Sequence, residues 1–204
     1  QDGISVKLVI VRPSGVKEKL PVFMFIHGGG WILGDYPTHK RLVRYIVVES
    51  QLACVFVEYS RSPDAKFPIA LNECYAATKW VAENGDQINV DGKILAVMGN
   101  SAGANMSIGT CMMAKQKGGP EIKCQVLLWP YSDAGTDFES YKKYGEERFL
   151  TTPLMAWMLG KYLNDKSEQD NIFVSPMRAT KEQLKGLPPT LIEVAENDIL
   201  VDGG

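Results

Sequence analysis

Five short apolar runs set the strongest limit on how this chain folds: PVFMFIH, ACVFVEY, KILAVMG, CQVLLW and TLIEVA. Each is nearly continuous in large apolar side chains, the pattern of a strand that is buried on both faces of a sheet. Between them lie stretches with helical spacing, over residues 38–50, 68–84 and 102–116. In the second of these Ala70, Cys74, Ala77 and Val81 recur along one face. Upstream, ISVKLVIV alternates apolar and polar residues and predicts a half-buried strand. Strands that alternate with amphipathic helices need crossover connections. Right-handed crossovers give an α/β fold with a mostly parallel central sheet and helices on both faces. Gly and Pro gather at turns and no internal repeat divides the chain, so residues 1–204 read as one domain.

Charge and cysteine usage narrow the function classes. With 204 residues, 45% hydrophobic and 23% charged, the chain is large enough to bury a substantial core. A net charge of -2, with Lys and Arg scattered, gives no electrostatic reason to expect nucleic acid or an anionic membrane as a partner. No apolar run approaches the roughly 18 residues of a membrane helix. The start QDGISVKLVIVRPSG lacks the basic head and small-residue cleavage site of a signal peptide, so a cytoplasmic protein is expected. Cys54, Cys74, Cys111 and Cys124 are far apart and form no CxxC pair. They predict buried free thiols rather than a zinc site or a disulfide framework. Composition sets no oligomeric state.

In a sheet of this kind ligands bind beyond the carboxyl ends of the strands. That rule puts HGGGW, EYSRSP, GNSAG and AEND on one rim although they are distant in sequence. Within GNSAG, residues 99–103, Ser101 stands between Gly99 and Gly103 in a G-x-S-x-G pattern, between an apolar strand and a helix. This is the context of a nucleophile elbow, a turn so sharp that a side chain two residues before or after the serine would clash. Ser101 would then project above the sheet at a helix N-terminus, whose free N–H groups favour developing negative charge. The three glycines of HGGGW let backbone N–H groups approach a ligand with no Cβ in the way. Acyl transfer needs such donors for the oxygen of its tetrahedral intermediate, each worth about 3 to 4 kcal/mol. Gly29, Gly30 and Ala102 are assigned as the donors and Gly28 as a steric requirement.

With these residues in view, the chain resembles the hormone-sensitive-lipase-like family of α/β-hydrolase carboxylesterases, of the acetyl esterase and lipase type. HGGGW and GNSAG match its two signatures. EYSRSPDAKFP, of which Tyr59 and Pro63 are kept, resembles the segment after the third strand. GEERFLTTPLMAWMLGKYL, SPMRA, LKGLPPTLIEVAEND and DILVD resemble its later blocks in the same order. The resemblance implies an α/β-hydrolase fold and cleavage of short-chain acyl esters by a Ser-Asp-His triad, with no metal or organic cofactor. It also implies a short helical cap, here about 131–175. In the family the acid lies in a D-x-L-x-D-E-G block, and NDILVDGG puts Asp198 in its first acidic position. Asp198 is therefore expected to hold the histidine tautomer and stabilise the imidazolium. Glu196 reads as a surface group, Asp202 as a loop-structuring group and Asp133 as a turn cap.

The histidine is harder to place. The chain contains two, His27 at the head of the glycine loop and His39 at a helix start. His27 is expected to bond its own loop backbone and His39 to be solvated. In the family the histidine follows the acid after one more strand, so the expectation is that residues beyond 204, with a last strand and helix, are missing. Without that base these residues alone should be a poor catalyst, because losing it from a serine hydrolase costs about 10⁶ in turnover. Two further readings stand beside the esterase: a non-catalytic ligand-binding relative, as in plant hormone receptors of this fold, and a serine peptidase, against which the triple-glycine loop argues. In TTPLMAWMLGKYL the apolar residues Leu154, Met155, Trp157, Met158, Leu159 and Tyr162 surround the helix, which fits either burial against two neighbours or a lid. Trp31 is placed as a wall of the same pocket. Asn100 stands where the family more commonly carries an acidic residue or threonine, which leaves the elbow's local hydrogen bonds open.

Overall fold

A computed structural model describes residues 5–204. Ile4, at the start of the expected first strand, lies outside the described residues. Six strands form one sheet, β1 (Lys7–Val11), β2 (Leu20–Ile26), β3 (Ala53–Glu58), β4 (Val90–Asn100), β5 (Cys124–Leu128) and β6 (Thr190–Glu193), in the order β1-β3-β2-β4-β5-β6. β1 runs antiparallel to β3, and every other pairing is parallel. This is the α/β-hydrolase arrangement, a mostly parallel sheet flanked by helices.

The alternation of side chains divides the core in two. Val22, Met24 and Ile26 of β2 face one cluster with Val55, Val57, Leu95, Val97 and the helices α2 (Ile69–Asn84) and α3 (Ala102–Lys117). Phe23 and Phe25 face the other, with Cys54, Phe56, Met98 and the buried stripe Val43 and Val47 of α1 (Tyr36–Ser50). A strand flanked on both sides by such clusters is apolar at every position, which is why these runs lack a period of two. The helices match the expected ranges to within two residues at either end. α1 starts where Asp35 and Thr38 form a reciprocal capping box with Pro37 in the first turn, and α3 ends on Gly118 in the left-handed conformation.

The connections position the site. From β2 the chain crosses through α1 to β3 on one side of it, and from β4 it crosses through α3 to β5 on the opposite side. β2 and β4 are neighbours, so the order reverses between them and their carboxyl ends open a crevice. Their register brings Ile26 beside Gly99. HGGGW and GNSAG therefore leave the sheet side by side.

Among the described residues the run TLIEVA forms β6, which pairs with β5 and is exposed along its whole length. Leu191 is 60% exposed and Ile192 46%. Over 131–175 the chain leaves the sheet and forms α4 (Glu139–Tyr144), α5 (Thr152–Tyr162) and a 3-10 turn at Lys166–Asp170. α5 buries a single stripe, Met155, Met158, Leu159 and Tyr162, while Trp157 turns to solvent. The four cysteines are free: Cys54, Cys74 and Cys111 are buried and Cys124 is half-buried. Burial pushes the Cys111 thiol up to about 12. Among the described residues no helix is long and apolar enough to cross a membrane.

Candidate active site

Ser101 occupies the turn between β4 and α3 with φ 53° and ψ -123°, a conformation rarely tolerated outside glycine. Backbone bonds hold it there. Its N–H donates to the Leu128 carbonyl at 2.9 Å, and its carbonyl accepts from Asn105 at 3.1 Å and Tyr131 at 3.3 Å. The turn closes tightly enough that a Cβ on Gly99 would lie 2.5 Å from the Gly103 carbonyl carbon, and one on Gly103 would overlap the Ile26 carbonyl oxygen. Small residues at both positions are thus a packing requirement of the bend.

The glycine loop lies against this turn. A Cβ on Gly28 would stand 2.7 Å from the Asn100 carbonyl oxygen and 3.1 Å from the Ser101 Cβ. Gly29, Gly30 and Trp31 follow at φ 121°, 59° and 61°. The Gly29 carbonyl accepts from the N–H groups of Ile32 (3.1 Å) and Leu33 (2.9 Å), closing the loop on itself. Gly28 donates its N–H to Asn100 Oδ1 at 2.9 Å. Among the described residues the N–H groups of Gly29, Gly30 and Ala102 donate to no protein acceptor. Unpaired backbone donors, and the N-terminal end of a helix such as the sixteen-residue α3, favour anionic groups in general.

The two histidines have other tasks. His27 is fully buried, stacked on Tyr59 with ring centroids 4.1 Å apart, and its Nδ1 lies 2.8 Å from the Gly28 carbonyl. The Tyr59 hydroxyl donates to the His27 carbonyl at 2.8 Å. Burial pulls the His27 imidazole down to about 4, so it is neutral at pH 7. His39 is half-buried rather than solvated. It sits beside His27 and Phe25, with Nδ1 3.2 Å from the Asp35 carbonyl. The reason is the helix face it occupies, which turns inward onto Phe56 and Phe25.

Trp31 departs from its expected place. Its indole is 0% exposed, stacked on Tyr162 at 4.3 Å and edge-on to Tyr131 at 5.1 Å, so it anchors the loop rather than facing a cavity. The same end of α5 brings Met158 over Gly30, where a Cβ would meet the thioether sulfur. Sequence patterning missed Met158 and Tyr162 as neighbours of the glycine loop. Their helical spacing marks them as buried, but nothing local says against what.

Asp198 lies half-buried in the turn that follows β6. Its Oδ1 accepts from the Leu200 N–H at 3.0 Å and its carbonyl from Val201 at 3.2 Å. It is held by this turn and not by the strand end, since β6 stops at Glu193. Asp202 accepts from the Ser140 N–H at 2.8 Å and ties the turn to α4. Asp133 caps Gly135 and pairs with Arg178 at 2.9 Å, and Glu196 is exposed. The segment after β5 bridges the two regions: Tyr131 bonds the Ser101 carbonyl, and Ser132 Oγ donates to the Gly203 carbonyl at 2.6 Å. Leu128, whose carbonyl holds Ser101, is in register with both Asn100 and Glu193.

A strained serine on a strand-to-helix turn, beside a glycine loop at the switch point of a parallel sheet, defines the class of fold as α/β hydrolase. Residues 23–204 match a family model described as alpha/beta hydrolase fold, and the chain belongs to that family. It is similar to carboxylesterase NlhH of Mycobacterium tuberculosis, 32% identical over 205 residues, covering 100% of this chain and 64% of the relative. A carboxylic ester hydrolase of the same organism, LipN, is 36% identical over 199 residues, 95% of this chain and 52% of that protein. A thermostable esterase from Pseudomonas putida superposes with a TM-score of 0.97 at 52% identity, over 98% of this chain and 63% of that one. The chain thus spans less than two thirds of the length of these relatives.

Proposed function

We propose that this chain carries the nucleophile and oxyanion site of a serine carboxylesterase that cleaves short-chain acyl esters through an acyl-enzyme. The observation that carries the reading is the strained Ser101 turn with the Gly28 backbone packed against it. Ser101 Oγ attacks the ester carbonyl as its proton passes to an imidazole base, which returns it to the departing alcohol, and water then cleaves the acyl-enzyme. The N–H groups of Gly29, Gly30 and Ala102 receive the oxyanion, and because the loop and helix hold them beforehand they need no reorganisation as charge develops. Asp198 is the acid that orients the imidazole. Neither His27 nor His39 suits the role of base, since one is stacked and buried and the other faces the Asp35 carbonyl. The reading therefore requires a third imidazole, supplied in a polypeptide of the relatives' length. The esterase names of the relatives support the substrate class.

A fluorophosphonate probe tests this on the full-length protein. Stoichiometric labelling, abolished by Ser101→Ala, is the expected result. Labelling that survives Ser101→Ala, or none with Ser101 intact, overturns it. The engagement of both histidines also favours a second reading, a ligand-binding member without turnover. Hydrolysis of p-nitrophenyl acetate by the full-length protein decides against that one.

A further inference from the structure

The β2–β4 ladder ends at the pair Ile26 and Gly99. Past it the two strands become the glycine loop and the serine turn, and nothing in the sheet fixes the distance between them. Yet the proposed donors sit on the first and the nucleophile on the second. A glycine run has the most backbone freedom to lose, so contacts must hold it in place. On its far side the loop is anchored by the buried Trp31, whose carbonyl accepts from the Ser62 N–H at 2.9 Å. On its near side Tyr59 bonds the His27 carbonyl. Neither contact reaches β4.

Asn100 does. It is the residue before Ser101, 8% exposed, and its Oδ1 accepts the Gly28 N–H at 2.9 Å. The donor at this point is a backbone N–H, so the amide oxygen, not its nitrogen, must face the loop. The bond engages the Gly28 N–H and leaves those of Gly29 and Gly30 for a ligand. We propose that Asn100 is a positioning residue that sets the oxyanion loop at its working distance from Ser101. The inference rests on the esterase reading for its catalytic consequence, but not for the tie itself.

Two measurements on the full-length protein test it. Hydrogen exchange followed by mass spectrometry reads the tie without any turnover: Asn100→Ala should raise exchange over residues 27–31, and Asn100→Asp, which keeps an acceptor, should restore protection. Ester kinetics read the consequence: kcat should fall about 10- to 100-fold in Asn100→Ala with KM within about threefold, as for a misplacement near 1 Å, and recover in Asn100→Asp. Unchanged exchange over 27–31 overturns the tie. Raised exchange with kcat within twofold of the parent overturns the positioning role. Should Asn100→Ala fail to fold, Asn100→Ser, whose hydroxyl is too short to reach Gly28, answers the same questions. A parent that neither labels nor turns over ester sinks the esterase reading, while the exchange result still decides the tie.

Discussion

At the scale of single residues, chemistry and sterics can be separated. Gly103 packs its Cα against the Ile26 and His27 carbonyls, and a methyl group there has nowhere to go. Gly103→Ala should cost about 3 kcal/mol by overpacking, measured by urea denaturation. Gly160 in α5 has nothing within 4 Å of an added Cβ. There the same change should stabilise by about 0.5–1 kcal/mol. His27 gives a pH dependence. Its folded pKa, about 4, lies below the ordinary 6.5, so the unfolded chain binds more protons between those values. The stabilisation is complete above pH 6.5 and is lost as pH falls toward 4, up to about 3 kcal/mol. His39, also lowered by burial, adds to it with the same sign. Urea midpoints at pH 7 and 4.5 check this, and in His27→Phe, which keeps the stacked ring, the difference should shrink.

At the scale of elements, α5 packs one of its apolar faces. Its C-terminal half is fixed. Tyr162 stacks on Trp31, its carbonyl accepts the Phe67 N–H at 2.8 Å, and Lys66 Nζ donates to the Leu163 carbonyl at 2.9 Å. The outward group is Trp157, which is 53% exposed and has Lys161 over its ring. α5 is thus a wall of the main core along one face. Among the described residues the buried Tyr162 hydroxyl has no partner, so the ring and not the oxygen contributes the stability. Tyr162→Phe should change stability by less than about 1 kcal/mol, whereas Tyr162→Ala should cost about 3–5 kcal/mol and loosen the glycine loop through Trp31. Thermal unfolding of the two variants separates ring from hydroxyl.

At the scale of the molecule, β6 presents unpaired backbone groups with Leu191, Ile192 and Val194 exposed. An apolar edge of this kind templates association. The 204-residue chain should scatter light increasingly with concentration, and Ile192→Lys should suppress this without lowering the unfolding midpoint by more than about 1 kcal/mol. A concentration-independent signal for the parent chain would count against it.

Sequence alone determined the succession of elements, because periods of two and 3.6 and the chemistry of caps are local, and a run such as PVFMFIH can satisfy its side chains only inside a sheet. It also determined that Ser101 stands in a bend that excludes side chains at 99 and 103, since that constraint spans five residues. Tertiary structure decided which groups meet: Asn100 with Gly28, His27 with Tyr59, and Trp31 with Tyr162. Each of these pairs depends on the order of strands across the sheet or on where a helix far along the chain is laid down, and no local pattern carries that information.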